Sequence, residues 1–545
     1  MKNRCISRYG VVCLTLFLIA LPDFSSGQEG MEVLKPYFGI DTTPRQQWYP
    51  HVVRNPIDNE FMGVWRTDGV LRIDCEPGDN YECINNFAGI TGRRISPDGE
   101  LLGDLLQWSP PELGFKMIPR MAHNTVTNEY LVGFSSGASY SETEIYVGSV
   151  NSTGEILSVP HSLYEGKEGA GHVEIIFNPE KGEYLILYND RGIFNEYQNN
   201  IGFIVDEEGK PIKGPFEVGN QRGDQYAPNG VYNPQDNTYC IAWEDFRNVA
   251  DWTQQSDLYG ALLDDAGDMI TEFDILDDYG TEDAGDQRVP SVAHNSDKNE
   301  FFVVWKVDEK PSQPDGGALG GRIIKADGIP AGPPFPLIDP PRVQHWPTLT
   351  YVGEEKRYFM TWTDSRNDGL PPQTGWGASD DMDIYARWLD DTGTPVGEEI
   401  IIADSENWQT GSEVAYNPVM KRFLISWYDK NPVDDYDIPP DMPILFGPSP
   451  SDVKGTIYGA PSFLSGRVIE DGTGNPVEEA WIIVIGPGLF TIKKTNIGGW
   501  WNIPEDSQRN GTYFIIPLKR GYRTSIESVT YGGDPLQVII QAETR

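Results

Sequence analysis

A unit of sequence that recurs along most of this chain constrains its fold more than any other feature. Each copy contains an alternating stretch that ends in Asn, a polar turn, an aromatic-aliphatic run that ends in Trp, and an Asp-Ile-Tyr-Gly-like run before a Gly turn. The clearest copy comprises residues 228–233, 238–243, 257–260 and 263–267, and another spans residues 347–393. No amphipathic helical pattern of useful length separates these runs, which excludes parallel α/β folds and helical solenoids.

The copies can be counted by the residue that ends the first alternating stretch. These anchor residues are Asn55, Asn124, Asn178, Asn233, Asn295, Val352 and Asn417. They lie about 55 to 70 residues apart, which leaves room for three or four short strands with turns in each unit. Seven four-stranded units repeated around an axis predict an all-β fold, a seven-bladed β-propeller. The seventh unit lacks an outer strand of its own, so we expect residues 33–40 to supply it and to close the ring.

Two copies carry a longer motif. A Trp-x-Asp-x-Arg element stands at residues 243–247 and again at residues 362–366. Together with Tyr-Asn-Pro, Asp-Ile-Tyr-Gly and Leu-Asp-x-x-Gly segments, it resembles a class of bacterial exported β-propeller repeat proteins over roughly residues 32–460. That class shares an architecture and no single activity, so the resemblance implies the fold alone. Because the element recurs around the ring, we interpret it as a scaffold device.

From about residue 462 the pattern changes to short alternating runs divided by Gly turns, for example at residues 480–484, 500–503 and 511–514. This segment resembles a carboxypeptidase regulatory-like domain, which implies a small antiparallel, transthyretin-like β-sandwich without a catalytic role. It contains no His or Cys, which disfavours a transition-metal or peptidase site there. The predicted domains are therefore a signal peptide at residues 1–27, the seven-bladed β-propeller at residues 28–461 and the β-sandwich at residues 462–545.

The first 27 residues have the pattern of a secretory signal peptide. Lys2, Arg4 and Arg8 precede an apolar run at residues 11–21, and small residues follow it. That run is short for a membrane span, and no later run reaches the required length of about 20 residues. We therefore expect a protein that is secreted, periplasmic or on the cell surface, without membrane insertion. In an oxidising compartment Cys75 and Cys83 are expected to form a disulfide.

Acidic residues outnumber basic ones by 82 to 42, which gives a formal net charge of −40. Such a surface repels polyanions, so we expect no nucleic-acid partner, and it favours neutral or cationic ligands. No His-x-His, His-Glu-x-x-His or Cys-x-x-Cys motif predicts a metal site. Asp-rich turns at residues 264–265 and 390–391 resemble fragments of calcium loops, but hairpin turns also explain them. We therefore expect no cofactor, with Ca²⁺ as the open alternative.

Candidate ligand-binding residues are those that vary where the repeat is otherwise regular. In a propeller the first strand of each blade lines the axis, so residues near its start meet at one funnel. The candidates from these positions are Trp48, His51, Arg120, Glu174, Tyr226, Asn229, Arg288, His345 and Glu413. Aromatic rings beside carboxylates and Arg suit the recognition of carbohydrates or peptides, by stacking and directional hydrogen bonds.

Three functions remain open at this point. The first is a non-catalytic exported binding or scaffold protein that recognises a carbohydrate or protein ligand at the funnel, and the absence of a specific catalytic motif favours it. The second is a carbohydrate-active enzyme, a polysaccharide lyase or glycoside hydrolase. Glu174 and Glu413 would then act as acid and base, or His51 and Tyr226 would abstract a proton while Arg120 neutralises a substrate carboxylate. The third is a structural surface-layer or adhesive component.

Overall fold

The structure is a computed structural model. It describes residues 31–43, 46–68, 89–109, 115–137, 142–164, 168–191, 197–219, 221–248, 256–276, 287–307, 317–338, 344–367, 382–405, 407–430, 451–504, 510–532 and 535–544. Every regular element in these residues is a β-strand, which confirms the predicted all-β fold. Within the same ranges no helix is long and apolar enough to cross a membrane. Cys75 and Cys83 lie outside the described residues, and with them the predicted disulfide.

Seven four-stranded antiparallel sheets follow one another along the chain, each built almost entirely from consecutive strands. The chain begins with β1 (Glu32–Asp41). Sheet 1 contains β2 (Gln46–Asn55), β3 (Glu60–Asp68), β4 (Gly89–Ile95) and β5 (Leu101–Gln107). Sheet 2 contains β6 (Phe115–Asn124), β7 (Glu129–Gly137), β8 (Thr143–Asn151) and β9 (His161–Ser162). Sheet 3 contains β10 (Glu168–Asn178), β11 (Glu183–Arg191), β12 (Gln198–Val205) and β13 (Pro211–Glu217).

The remaining four sheets repeat this order. Sheet 4 contains β14 (Gln225–Asn233), β15 (Thr238–Asp245), β16 (Asp257–Asp264) and β17 (Met269–Asp274). Sheet 5 contains β18 (Gln287–Asn295), β19 (Glu300–Val307), β20 (Ala318–Lys325) and β21 (Phe335–Ile338). Sheet 6 contains β22 (Gln344–Val352), β23 (Arg357–Asp364), β24 (Asp383–Leu389) and β25 (Pro395–Ala403). Sheet 7 contains β26 (Trp408–Asn417), β27 (Arg422–Lys430), β28 (Ser451–Gly459) and, as its outer strand, β1.

The first strands of these sheets surround a common axis. Each one contacts the first strand of the next sheet, and β26 contacts β2, so the strands form a closed ring. Strand β1 pairs antiparallel with β28, from Glu32 beside Gly459 to Asp41 beside Val453. This pairing confirms that residues 33–40 supply the missing outer strand. The arrangement is propeller-like, and every anchor residue ends a first strand.

The second strand of each sheet is buried against the sheets on both sides. In sheet 4 all residues of β15 are buried, including Trp243. A strand that is buried on both faces needs apolar residues at successive positions, which explains the continuous aromatic-aliphatic runs of the repeat. Trp243 Nε1 donates to Asp245 Oδ2 at 2.8 Å, and Arg247 pairs with Asp245 and stacks over Tyr259. These internal contacts support the interpretation of the Trp-x-Asp-x-Arg element as a scaffold device.

Four anchor asparagines join their sheets to the next one at the end of the first strand. Asn55 Nδ2 donates to Asn128 Oδ1 at 2.9 Å in sheet 2, while Asn55 Oδ1 accepts amide protons from its own turn. Asn417 Nδ2 of sheet 7 makes the same contact with Asn59 Oδ1 of sheet 1, at 3.0 Å. Since Asn417 and Asn59 lie at opposite ends of the ring in sequence, this hydrogen bond helps to close it.

Two further sheets follow β28. Their strands are β29 (Ser462–Glu470), β30 (Trp481–Gly486), β31 (Leu489–Lys494), β32 (Trp500–Pro504), β33 (Gly511–Leu518), β34 (Glu527–Tyr531) and β35 (Leu536–Ala542). One sheet has the order β32-β29-β35 and the other β31-β30-β33-β34, and they share a core that includes Trp501 and Tyr513. Strands β29 and β35 pair in parallel. The wholly antiparallel expectation was wrong because the chain returns after β34 to add β35 to the first of these sheets.

These C-terminal sheets rest on sheet 1. Trp500 Nε1 donates to Ile57 O at 3.0 Å, and Asn496 Nδ2 donates to Pro56 O at 2.8 Å. Pro56 and Ile57 lie in the turn after β2, at the end of the ring where the first strands finish. The C-terminal sheets therefore leave the opposite end of the ring, where the first strands begin, uncovered.

Candidate functional site

All seven first strands are interrupted at the same place by a β-bulge. The pairing with the second strand shifts register after Trp48, Met117, Gly171, Tyr226, Arg288, His345 and Thr410. The next residue in each strand has a positive φ, and these residues are Tyr49, Ile118, His172, Ala227, Val289, Trp346 and Gly411. We call these seven positions the bulge ring. Left-handed backbone is costly for every residue except Gly, so the ring marks a level where a strained geometry is kept.

The bulge ring could not be predicted from the sequence, because its members share no side-chain type. The regular signs are the Gln two residues before five of them, at positions 47, 225, 287, 344 and 409, and the Pro that follows five of them, at positions 50, 119, 228, 290 and 347. His172, which belongs to the ring, was not among the candidate residues. His172 is exposed to solvent, yet the surrounding protein displaces part of the water around its ring, and this desolvation together with the charge of Arg120 lowers its pKa.

Just beyond the bulge ring, Arg120 lies between two carboxyl groups that come from other sheets. Its Nε is 3.8 Å from Glu174 Oε2 in sheet 3, and its Nη2 is 3.4 Å from Glu413 Oε1 in sheet 7. Asn229 Nδ2 lies 3.5 Å from Glu174 Oε2. Sheet 1 separates sheets 2 and 7 in the ring, so the contact between Arg120 and Glu413 bridges two sheets that are not neighbours. We call Arg120, Glu174 and Glu413 the Arg120 cluster; all three are candidates from the sequence.

The cluster sits where its carboxyl groups are largely shielded from water. The side chains of Glu174 and Glu413 are 13% and 20% exposed. Burial raises the pKa of Glu174 to about 8; Arg120 opposes this rise and Glu413 adds to it. Burial also raises the pKa of Glu413, again against the effect of Arg120. At neutral pH Glu174 is therefore mainly protonated.

A backbone contact fixes the tautomer of His51. Its Nδ1 accepts the backbone N–H of Met121 in sheet 2, at 3.3 Å. Burial lowers the pKa of His51 well below its ordinary value, and Arg120 lowers it further. The neutral ring must then carry its proton on Nε2, which leaves no free nitrogen to abstract a proton. Tyr226 also donates its hydroxyl, to Asp224 at 3.1 Å. The predicted proton abstraction by His51 and Tyr226 does not fit this arrangement.

The same position in other sheets makes the same kind of contact. Asn229 Oδ1 accepts the N–H of Val292 at 2.9 Å, and Ser291 Oγ accepts the N–H of Leu349 at 3.2 Å. Each of these bonds joins one first strand to the next. These positions vary between the copies of the repeat, but the backbone of the neighbouring sheet also constrains them.

The other candidates are the last paired residues before the bulge on their strands; these are Trp48, Tyr226, Arg288 and His345. Trp48 packs edge-on against Tyr428 of sheet 7, with ring centroids 5.3 Å apart, and Tyr49 lies 6.3 Å from the same ring. Trp48 and Tyr49 are half-buried, so this group presents aromatic surface near the start of the first strands. Arg288 is half-buried opposite Lys306 in the pairing of β18 with β19.

His345 and Tyr226 have aromatic neighbours of their own. His345 is buried, and burial together with the charge of Lys306 lowers its pKa well below the usual value. Its ring lies 5.8 Å from that of Trp346, and the ring of Tyr226 lies 5.8 Å from that of Phe246. The structure thus brings Arg120, Glu174, Glu413, His51 and Asn229 together, and it sets Trp48 in an aromatic group three residues before His51 on the same strand.

Cys240 is buried with a free thiol, and burial raises its pKa, as expected of an inert cysteine. Among the described residues, no group of three or more His, Cys, Asp or Glu side chains is arranged to hold a metal ion.

Comparison with known proteins gives similarity of fold only. No family model matches the chain, and no curated protein matches it. A protein of unknown function from Dyadobacter fermentans DSM 18053 is 12% identical, covers 79% of this chain and 99% of its own, and has a TM-score of 0.45. The endosialidase of phage phi92 is 10% identical, covers 78% of this chain and 69% of its own, and has a TM-score of 0.43. The GH93 α-L-arabinofuranosidase of Fusarium graminearum is 11% identical, covers 78% and 97%, and has a TM-score of 0.38.

Proposed function

We propose that the chain is an exported seven-bladed β-propeller, at residues 28–461, followed by a β-sandwich at residues 462–545, and that it binds a neutral carbohydrate without catalysis. The binding site would be the funnel where the first strands begin. The observation that carries this proposal is the Arg120 cluster, together with the half-buried rings of Trp48 and Tyr49 on the strand that also carries His51.

A sugar offers hydroxyl groups that both donate and accept hydrogen bonds, and C–H faces that pack on aromatic rings. Arg120 and the Nε2–H of His51 supply donors, and the carboxyl oxygens of Glu174 and Glu413 supply acceptors. Trp48 and Tyr49 lie at the bulge of the strand that carries His51, and they supply ring surface. The net charge of −40 disfavours a polyanionic ligand, so a neutral carbohydrate fits this set best.

A binding role without turnover agrees with how the polar groups are engaged. Both carboxyl groups contact one guanidinium, His51 uses Nδ1 to accept a backbone amide, and Tyr226 donates to Asp224. General acid–base catalysis needs a group that is free to move a proton to or from a substrate. The residues considered for proton abstraction are already committed to the scaffold.

One observation favours a second candidate, a glycoside hydrolase. Glu174 keeps its proton at neutral pH, as a general acid must, and Glu413 contacts the same guanidinium. Their carboxyl groups are therefore no more than roughly 10 Å apart, a range that includes the separations of both inverting and retaining enzymes.

Calorimetric titration with a panel of neutral polysaccharides and oligosaccharides, with and without calcium, tests the binding role. For a ligand that binds, we expect Trp48→Ala to weaken the affinity about 10-fold, the loss of one aromatic contact. Tyr37→Ala is the matched control, since Tyr37 is an exposed aromatic residue on β1, and it should leave the affinity unchanged. Equal affinities for the two variants, or no binding across the panel, would contradict the proposed site.

Product analysis separates the two candidates. Each ligand is incubated with the protein and the mixture is separated by chromatography; we expect the ligand to be recovered intact. If shorter sugars appear, and Glu174→Gln abolishes them while Glu398→Gln does not, the glycoside hydrolase is correct. Glu398 is an exposed carboxylate on β25 and controls for the loss of one charge.

A further inference from the structure

The outer sheet of the C-terminal segment exposes an apolar face. On β30, Ile482 and Val484 are buried in the core, whereas the alternate residues Trp481, Ile483 and Ile485 lie on the other face. Their cross-strand partners on β31 and β33 form three complete rows. The rows are Phe490-Ile485-Phe514, Ile492-Ile483-Ile516 and Lys494-Trp481-Leu518. We call these nine residues the outer-sheet patch.

The patch is large, continuous and almost free of polar groups. Phe490 is 67% exposed and Trp481 51%, and Phe514, Ile485 and Ile492 are also exposed. These five side chains alone present roughly 500 Å² of apolar surface, near the upper limit for a patch on a monomeric protein. Lys494 is the one charged member, and its ammonium lies over the Trp481 ring, at 5.3 Å from the centroid. A sugar would find few hydrogen-bonding partners here, so the surface fits an apolar partner.

The patch faces away from the propeller-like ring. The other C-terminal sheet makes the contacts with sheet 1, through Trp500 on β32 and Arg467 on β29, whose Nη2 lies 3.4 Å from Ile57 O. Since the two C-terminal sheets share one core, the outer face of β30, β31 and β33 lies on the far side of that core. A partner on the patch would therefore not obstruct the end of the ring where the first strands begin.

Charge makes this the part of the chain that a second copy can approach most easily. Residues 462–545 contain 8 basic and 9 acidic side chains, a net charge of 8 − 9 = −1, whereas the rest of the chain carries 34 − 73 = −39. In most relative orientations two copies repel each other, because the acidic surfaces outside residues 462–545 then meet. A contact between the two C-terminal segments keeps those acidic surfaces far apart.

We infer that the outer-sheet patch is the interface of a homodimer, in which the patch of one chain packs against the same patch of a second copy. Two sheet faces with interdigitating apolar side chains pack at about 10 Å, as inside a β-sandwich. The patch with its rim approaches the area of about 800 Å² per partner that stable complexes bury. Such a dimer carries two rings with their funnels at opposite ends. The inference does not depend on the ligand proposed for the funnel.

Sedimentation velocity and light scattering on the full exported chain test the inference. We expect a dimer at about 10 μM, and at least a 100-fold weaker dimer constant for Ile492→Glu or Ile492→Lys, because each substitution buries a charge from each chain in an apolar interface. Ile212→Glu is the matched control on β13, where Ile212 is 55% exposed, and it should stay dimeric.

Three results would overturn the inference. The chain could stay monomeric up to about 100 μM; it could form a dimer that neither Ile492 variant weakens; or it could be a monomer whose patch binds vesicles of anionic lipid, lost in Ile492→Glu. The first two remove the second copy as the occupant, and the third replaces it with a membrane surface. Circular dichroism of each variant checks that the fold is retained, and sugar binding at the funnel should be the same in all of them.

Discussion

A carboxyl group that is buried beside a second carboxyl group keeps its proton over a wider pH range than one in water. Glu174 is in this position, because it shares the guanidinium of Arg120 with Glu413. Its pKa of about 8 in the folded chain exceeds the ordinary value of 4.5. The folded state therefore binds a proton that the unfolded state has released, and folding becomes less favourable as the pH rises from about 4.5 to about 8.

Glu174→Gln should remove this dependence on pH. We expect the variant to be about as stable as the parent below pH 4.5 and to gain stability relative to it up to about pH 8. A shift from 4.5 to about 8 corresponds to at most about 5 kcal/mol, and water that reaches the carboxyl group reduces it. Urea unfolding at pH 4, 6 and 8.5 measures the difference, with Glu398→Gln as the control. A difference that is constant over this range would show that Glu174 is not shielded.

The convergence of Arg120, Glu174 and Glu413 follows from the sequence because the repeat fixes their register and ring closure brings their strands to one axis. The role of His51 as an acceptor for the neighbouring sheet does not follow from the sequence. Its partner is a backbone N–H of the next sheet, and backbone groups carry no sequence signal. His172 was missed for a related reason, since the bulge that precedes Val173 places it at the axis.

At the scale of the strand, the bulge ring repeats a left-handed conformation seven times, and at six of these positions the residue is not Gly. Ile118 and Val289 are β-branched and still have φ values of 42° and 51°. Pairing on both sides of the bulge, and the bonds from each first strand to the next, must hold this geometry in place. The strands themselves could be predicted from the repeat; the bulge could not, because it depends on how the strands fit around the axis.

Ala227→Gly tests whether the bulge ring is strained. Ala227 has a φ of 48°, so its Cβ is the only obstacle to the left-handed conformation. We expect the free energy of unfolding to rise by up to about 1 kcal/mol. The same substitution at Ala318, a half-buried residue in β20 with ordinary backbone, should lower it by about 1 kcal/mol. Equal losses at both positions in urea titrations would argue against strain.

At the scale of the whole molecule, ring closure depends on contacts between the two ends of the repeat. Beyond the pairing of β1 with β28, Ser451 Oγ donates to Gln47 O at 2.7 Å, and Asn417 bonds to Asn59. Each contact joins residues more than 350 positions apart, so it forms only when all seven sheets are in place. The closing strand could be predicted because the seventh unit lacks an outer strand. The placement of the C-terminal sheets could not, since it depends on backbone carbonyls in one surface turn.

Ile40 offers the sharpest test of this closure. It is buried on β1 and packs in one core with Val453 and Ile457 of β28. We expect Ile40→Ala to lower the free energy of unfolding by about 2 to 4 kcal/mol, the usual cost of such a cavity. Val33→Ala is the control, because Val33 lies on the same strand and is 39% exposed; it should cost under about 1 kcal/mol. If the two substitutions cost the same in urea titrations, β1 does not hold the ring closed, and a chain that starts at Gln46 should then fold as well as the full one.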